Sequence, residues 1–142
     1  MKIVAIVFAL LVTAGSCYAA TCSFNSPPAT LAFGNLDPGV GTDVVVSTTV
    51  TFRCTGAGPN PVLFSLTDDD GLYETGLNAN RMRNDTFLTE FLPYSLTFNP
   101  ASGSVNKNVT LTVTVSGTAR GINYRDASVG GYSDTITVTV AP

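Results

Sequence analysis

The most regular alternation of hydrophobic and polar residues along the chain lies at positions 131–140. Its apolar positions are Tyr132, Ile136, Val138 and Val140, and polar residues stand between them. A period of two residues is typical of a β-strand with one buried side and one solvent-facing side. Because no further strand follows in the sequence, we expect this strand to leave one edge open to a strand from another molecule.

Five other segments show the same alternation, which brings the predicted number of main strands to six. They span residues 22–33 (interrupted at Pro27-Pro28 and resuming at residue 30), 43–54, 62–67, 92–98 and 109–116. A shorter strand is predicted at 81–83, and polar or turn-forming residues indicate loops or turns at 68–80, 99–107 and 117–130. No segment of the mature chain has helical spacing. The pattern therefore predicts an all-β sandwich, one strand short of the seven of an immunoglobulin-like fold.

The N-terminal segment predicts export from the cytoplasm. A single basic residue, Lys2, precedes an unbroken apolar run that ends at Val12, and small residues follow it. This is the pattern of a secretory signal peptide, and the run is shorter than the ~20 residues of a membrane span. We predict cleavage after Ala19, which divides the chain into a leader (1–19) and one domain (20–142). The alternative is a lipoprotein signal with the lipid on Cys17, but the usual leucine three residues earlier is absent.

Removal of the leader changes the charge and the cysteine content. Of the 142 residues 123 remain, with 6 basic and 10 acidic side chains and a net charge of −4. An acidic domain is not expected to bind nucleic acid or an anionic membrane. The two remaining cysteines, Cys22 and Cys54, form an even pair in an exported chain, which predicts a disulfide.

Candidate catalytic chemistry is sparse. The chain has no histidine, and its carboxylates are scattered over loops, so we predict neither an enzyme nor a cofactor. The run Asp68-Asp69-Asp70-Gly71 is similar to part of a calcium loop, but it lacks the full spacing of one, and a solvated loop is favoured over a metal site. Asp134 is interpreted as a strand-edge or turn carboxylate bonded to backbone groups near Gly131. Three aromatic residues, Tyr94, Phe98 and Tyr132, are expected in the core.

Several motifs, taken in order, resemble the spore coat protein U domain, a family shared with the archaic, Csu-type subunits of bacterial chaperone–usher pili. The matching segments are Cys22, Phe33-Gly34-Asn35-Leu36-Asp37-Pro38, Val50-Thr51-Phe52-Arg53-Cys54, Arg81-Met82, Leu92-Pro93-Tyr94-Ser95-Leu96 and Gly131-Tyr132-Ser133-Asp134-Thr135-Ile136-Thr137-Val138. The resemblance implies an incomplete immunoglobulin-like sandwich. A periplasmic chaperone lends the missing strand first, and another pilus subunit replaces it at an outer-membrane usher. It also implies a secreted protein that passes through the periplasm to a surface fimbrium.

The resemblance and the strand pattern together predict a subunit-binding groove between the first strand and the last. Its expected residues are Leu31, Phe33, Tyr132, Ile136, Val138 and Val140. Polymerising subunits of the family carry a donor segment ahead of the first cysteine, whereas only Ala20 and Thr21 stand between the predicted cleavage site and Cys22. We therefore expect a subunit that accepts a strand without donating one, at the tip of a fibre. The alternative is a free-standing extracellular coat or binding domain that completes its own sandwich, for instance with the Pro27-Pro28 segment.

Overall fold

The computed structural model describes residues 19–142, so the predicted signal peptide, apart from Ala19, lies outside the described residues together with Cys17. The described chain consists of ten strands and one helical turn, which confirms the all-β prediction. The strands are β1 (Ala20–Phe24), β2 (Val44–Gly56), β3 (Val62–Asp68), β4 (Arg81–Asn84), β5 (Phe91–Pro93), β6 (Ser95–Asn99), β7 (Ser102–Val105), β8 (Thr110–Ala119), β9 (Tyr132–Ser133) and β10 (Val138–Ala141). The helical turn is α1 (Gly121–Tyr124), and within residues 19–142 no helix is long and apolar enough to cross a membrane.

The strands form three antiparallel sheets. The largest has the order β1-β2-β8-β6, the second has the order β10-β3-β7, and the third has the order β5-β4-β9. The longest ladder joins β2 to β8, from Val44 opposite Ala119 to Arg53 opposite Thr110. Both strands are rich in valine and threonine, whose branched side chains favour the extended backbone and pack well on a pleated surface.

Two hydrophobic clusters form the core. The first lies around Phe52, whose ring is fully buried and packs edge-on against Phe64 at 4.9 Å between centroids. Cys22 and Cys54 face each other across the β1–β2 ladder beside this cluster and form the predicted disulfide. The second cluster includes side chains of the third sheet; its buried members are Met82, Leu92, Tyr94, Ala119 and Tyr124.

Between residues 92 and 130, three segments differ from the sequence-based assignment, and the strand count of the described chain is ten where periodicity predicted six main strands. The predicted strand at 92–98 is two strands in different sheets. The Tyr94 amide continues the pairing of β5 with β4 by donating to the carbonyl of Asn80 at 3.1 Å, whereas the chain from Ser95 onward pairs with β8. The predicted turn at 99–107 contains β7, which pairs with β3. The predicted loop at 117–130 contains the end of β8 and the turn α1. Periodicity missed these elements because β7 and α1 have only four residues each.

Candidate functional site

The first strand ends early, and this opens one side of the sandwich. Beyond Phe24 the chain makes a last backbone bond from Asn25 to the carbonyl of Thr51, at 3.0 Å. The amide of Thr51 then donates to the Ser26 hydroxyl at 3.1 Å, where a continuing ladder would supply a carbonyl. Pro27 and Pro28 follow and have no N–H to donate. The predicted resumption of the strand at 30–33 was therefore wrong, because this segment has no strand pairing.

The segment after the two prolines is held by side-chain packing. A Cβ atom on Gly117 of β8 would lie 2.8 Å from the ring of Phe33 and 3.5 Å from Leu31, so both side chains lie against the glycine. The Phe33 ring also packs edge-on against Tyr94, at 6.0 Å between centroids. Residues 27–30, which lie between Ser26 and Leu31, are exposed and form no ladder.

The terminal run, predicted as one strand, is divided between two sheets. β9 pairs with β4, β10 pairs with β3, and residues 134–137 cross from one sheet to the other. The cause is Asp134, whose Oδ1 accepts the amides of Thr135 at 2.8 Å and Leu72 at 3.0 Å. Its Oδ2 accepts the hydroxyl of Tyr94 at 2.7 Å. The expectation that Asp134 bonds near Gly131 was therefore wrong, since its backbone partners are Thr135 and Leu72.

Among residues 19–142, no strand pairs with one edge of this terminal run. β10 pairs with β3 alone, and the amide of Asp69 extends the contact on the same side by donating to the Thr137 carbonyl at 3.2 Å. Backbone groups of successive strand residues point to opposite edges, so those of Ile136, Val138 and Val140 point away from β3. Within residues 19–142, no backbone hydrogen bond joins this edge to β1 or to the segment that follows it as far as Phe33. Among the described residues, the run is thus hydrogen-bonded to its own chain on one edge only.

A cavity of about 550 Å³ lies between this edge and the segment that follows β1. Val50, Leu96 and Val115 form its apolar base, and the residues on its two sides are Phe24, Ser26, Pro27, Pro28, Ala29, Thr30 and Leu31 on one and Asp134, Thr135, Ile136 and Val138 on the other. We call this cavity with its open edge the groove. An apolar cavity beside free backbone groups has the properties that an added β-strand requires.

The structure brings three of the six expected groove residues to this cavity, namely Leu31, Ile136 and Val138. Phe33 and Tyr132 pack against the second core cluster, and the Tyr132 hydroxyl donates to the Ser128 carbonyl at 3.0 Å. Val140 packs against the first cluster. Ile136 also touches the second cluster, so it borders both the groove and the core.

Sequence analysis did not identify four apolar groove residues, which are Phe24, Val50, Leu96 and Val115. Alternation along their strands placed Val50, Leu96 and Val115 on inward-facing sides, which is correct. Alternation does not show which inward-facing residues are left without another strand packed on them. That depends on where β1 leaves β2, and the only local signals are Ser26 and the two prolines after it.

The acidic run is bonded to its own chain. Asp68 accepts a bond from the Asn80 amide group at 3.2 Å, Asp69 accepts the amide of Thr137 at 2.9 Å, and Asp70 accepts the amide of Asn78 at 3.0 Å. Asp70 is only 7% exposed, so the run is not simply a solvated loop. Within the described part of the chain, no cluster of three or more potential metal-ligating side chains occurs. The bond from the Thr137 backbone holds the pKa of Asp69 below its usual value.

Tyr94 and Asp134 form the polar contact at one end of the groove. Burial raises the pKa of the Tyr94 hydroxyl well above its usual value, and the hydrogen bond to Asp134 raises it further. Tyr94 therefore remains a hydrogen-bond donor to the carboxylate throughout the physiological range.

Comparisons with known proteins agree with this architecture. A family model described as the Spore Coat Protein U domain matches residues 7–139. A chain from the crystal structure of the CsuC–CsuE chaperone–tip adhesion subunit pre-assembly complex, from the archaic chaperone–usher Csu pili of Acinetobacter baumannii, is 19% identical with a TM-score of 0.52. The match covers 86% of this chain and 39% of that chain.

A second solved chain comes from a chaperone–tip adhesin complex described as vital for activation of CFA/I fimbriae biogenesis. It is 13% identical with a TM-score of 0.52, and the match covers 87% of this chain and 41% of that one. The chain thus spans about two fifths of the length of both solved chains. At these identities the likeness concerns the fold. No curated protein matches the chain.

Proposed function

The chain belongs to the spore coat protein U domain family, and from this premise we propose that it is a structural subunit of a chaperone–usher surface fibre that accepts a partner's strand in the groove. The observation that carries the proposal is the unpaired edge of the terminal run. The outward-pointing backbone groups of Ile136 and Val138 border an apolar cavity, and an added strand would satisfy both the backbone groups and the apolar side chains.

The energy available from such an addition is large. A partner strand that buries about four apolar side chains, at roughly 1.5–3 kcal/mol each, would gain on the order of 6–12 kcal/mol. Part of this gain offsets the ordering of the strand and the loss of translational freedom. The remainder is of the size needed to hold a fibre subunit in place.

The partners follow from the same proposal. Both solved neighbours are chaperone complexes with tip subunits, which supports a periplasmic chaperone and other pilus subunits as the donors. An outer-membrane usher and a final position in a surface fimbrium are the parts that the family assignment implies. In this role the protein is structural, and its groove binds a strand without catalysing a reaction.

Periplasmic expression tests the proposal. We expect residues 20–142 to aggregate or be degraded when expressed alone, and to be recovered as a one-to-one complex when a chaperone from the same gene cluster is co-expressed. Ile136→Asp, which places a charge in the groove, should abolish recovery of the complex. The control Leu63→Asp changes a side chain that is 72% exposed on β3 and should have no effect. A stable monomer without a chaperone would instead support a free-standing domain that completes its own sandwich.

The tip position is a separate proposal that depends on the mature N-terminus. Mass spectrometry of the secreted protein measures it directly. A mature chain that begins at Ala20 supports a subunit that only accepts a strand. A longer N-terminal segment, with alternating apolar residues ahead of Cys22, contradicts the tip position and leaves the groove proposal unaffected.

A further inference from the structure

Two sequence motifs without an assigned role, the acidic run and Asp134, meet beside the groove. Residues 134–137 form no ladder where they pass from the third sheet to the second. The contacts that hold them come from the loop after β3. The amide of Leu72 donates to Asp134 Oδ1 at 3.0 Å, and the amide of Thr137 donates to Asp69 Oδ1 at 2.9 Å. The amide of Asp69 donates in turn to the Thr137 carbonyl at 3.2 Å.

The close approach of the two motifs requires a glycine. A Cβ atom on Gly71 would lie 2.1 Å from Asp134 Oδ2 and 2.8 Å from its carboxyl carbon. Gly71 also has a φ of +88°, in the region that side chains disfavour. The turn at Gly71 is therefore shaped to let the Asp134 carboxylate lie against the loop backbone.

The loop is itself anchored to the third sheet. The guanidinium of Arg81 donates to the Tyr73 carbonyl, and the guanidinium of Arg83 lies over the Tyr73 ring at 4.5 Å from its centroid. The two arginines are on one side of β4, since they alternate with buried Met82 and Asn84. These contacts fix the residue that follows Leu72 and so fix the donor to Asp134.

The bonds between Asp69 and Thr137 lie on the β3 side of the terminal run, opposite the edge that borders the groove. We propose that Asp134 is a positioning residue. With Asp69 and Gly71 it holds residues 134–137 in place while the groove is empty, so that the edge formed by Ile136 and Val138 is ready for a partner strand. This inference rests on the proposed function, because it concerns the same groove. Pre-ordering of a binding edge improves affinity, since less conformational freedom is lost on binding.

The test uses the mature protein purified with its chaperone and then refolded alone at low concentration, where aggregation is slow. Fluorescence anisotropy measures its affinity for a fluorescein-labelled peptide in which Val and Thr alternate, with Lys at each end for solubility. Asp134→Ala removes both acceptors and should weaken peptide binding about 10-fold or more, as expected when a charged hydrogen-bonding group is lost. Asp134→Asn keeps an acceptor for Leu72 and should restore most of the affinity. Tyr94→Phe removes a single contact and should lie between the two. Asp126→Ala, at an exposed carboxylate with no hydrogen-bond partner among the described residues, is the control and should bind like the wild type.

Amide hydrogen exchange gives a second measurement that does not depend on the peptide. Asp134→Ala should reduce protection of the Leu72 amide, whereas the Phe52 and Val113 amides in the β2–β8 ladder should keep theirs, which shows that the variant is folded. Unchanged peptide affinity in both Asp134→Ala and Tyr94→Phe, with a wild type that binds, would overturn the positioning role alone. A wild type that binds no peptide, although its Leu72 amide is protected, would overturn the proposed function and with it this inference.

Discussion

Val50 and Val113 face each other directly in the β2–β8 ladder, yet their surroundings differ. Val113 is fully buried in the first core cluster, whereas Val50 is half-buried and forms part of the base of the groove. Residues opposite each other in an antiparallel ladder point to the same side of the sheet. Both residues are valines on the same side of one sheet, so the difference in their burial comes from what covers that side at each position. The second sheet covers Val113, and the place above Val50 is where we propose that a partner strand lies.

The side of the sandwich around Phe52, the closed side, is complete because its strands pair continuously. The side around Val50, the open side, is incomplete because two of its strands are interrupted. Around Phe52 the chain has a paired β1, a disulfide and the buried faces of β3 and β7. Around Val50 the first strand has ended at Phe24 and the last run has lost its ladder at residues 134–137. Each interruption coincides with an identifiable feature, the two prolines in one case and the hydrogen bonds of the Asp134 carboxylate in the other. An incomplete sandwich thus results from a few polar and cyclic side chains at defined positions.

The largest expected effect is loss of the disulfide on the closed side. Cys22 and Cys54 are 32 residues apart, and the unfolded chain gains freedom when they are no longer joined. We expect Cys22→Ala with Cys54→Ala to lower the free energy of unfolding by roughly 3–4 kcal/mol. Urea denaturation of the mature protein bound to its chaperone and of the free protein measures this. A loss below about 1 kcal/mol in both would show that the closed side does not depend on the cross-link.

The second prediction compares the loss of stability when each of the two opposite valines is replaced by alanine. Val113→Ala removes two methyl groups from a filled site and should lower the free energy of unfolding by about 2–3 kcal/mol. Val50→Ala, in the same ladder and with the same change in volume, should lower it by about 1 kcal/mol or less, because its site is already open. Thermal unfolding of the two variants is the measurement. Equal losses would mean that the groove is filled by the protein's own chain in solution.

The third effect tests the edges of β10. The amide of Val138 points to the open edge and that of Thr139 to β3, by the alternation along a strand. Proline is tolerated in an edge strand where its missing N–H faces away from the sheet. Val138→Pro should therefore change stability by less than about 1 kcal/mol but weaken binding of the alternating peptide about 10-fold. Thr139→Pro should do the reverse, with a stability loss of about 1–3 kcal/mol, because it removes a bond to β3. Identical behaviour of the two variants would contradict the assignment of the open edge.

Sequence analysis predicted the closed side better than the open side. The alternation of Val44, Val46, Val50 and Phe52 fixes both the strand and its inward side, and the cysteine pair indicated where β1 lies against β2. These features are local or depend on a single pairing. The all-β class follows from the alternation and was confirmed. The family resemblance, which rests on motifs along most of the chain and includes the terminal run, was confirmed as well.

The open side depends on contacts between residues that are far apart in the sequence, and hydrophobic periodicity does not reveal such contacts. The run at 131–140 alternates as regularly as any strand, but Leu72 lies 62 positions away from the carboxylate that interrupts it. Leu31 and Phe33 also alternate like a strand, but they follow two prolines and pack against Gly117, which has no side chain to keep them away. The glycine of the acidic run was the one available signal of a close approach, although its partner could not be identified from the sequence.

The smallest expected effect is a dependence on acid that is confined to the open side. The amide of Thr137 donates to the Asp69 carboxylate and lowers its pKa, so the folded state holds this group ionised more strongly than the unfolded state does. A lowered pKa gives a contribution that is complete above the unfolded value, about 3.9, and that is lost as the pH falls through the folded value. Protection of the Thr137 amide should therefore decrease below about pH 4, while that of Val113 does not change with the state of Asp69. Asp69→Asn should remove this pH dependence and Asp126→Asn should retain it, in amide exchange corrected for its intrinsic pH dependence. Because Asp69 is exposed to solvent, we expect a local loosening of residues 134–137 and no unfolding, which would make the groove edge, and not the core, the acid-sensitive part of the molecule.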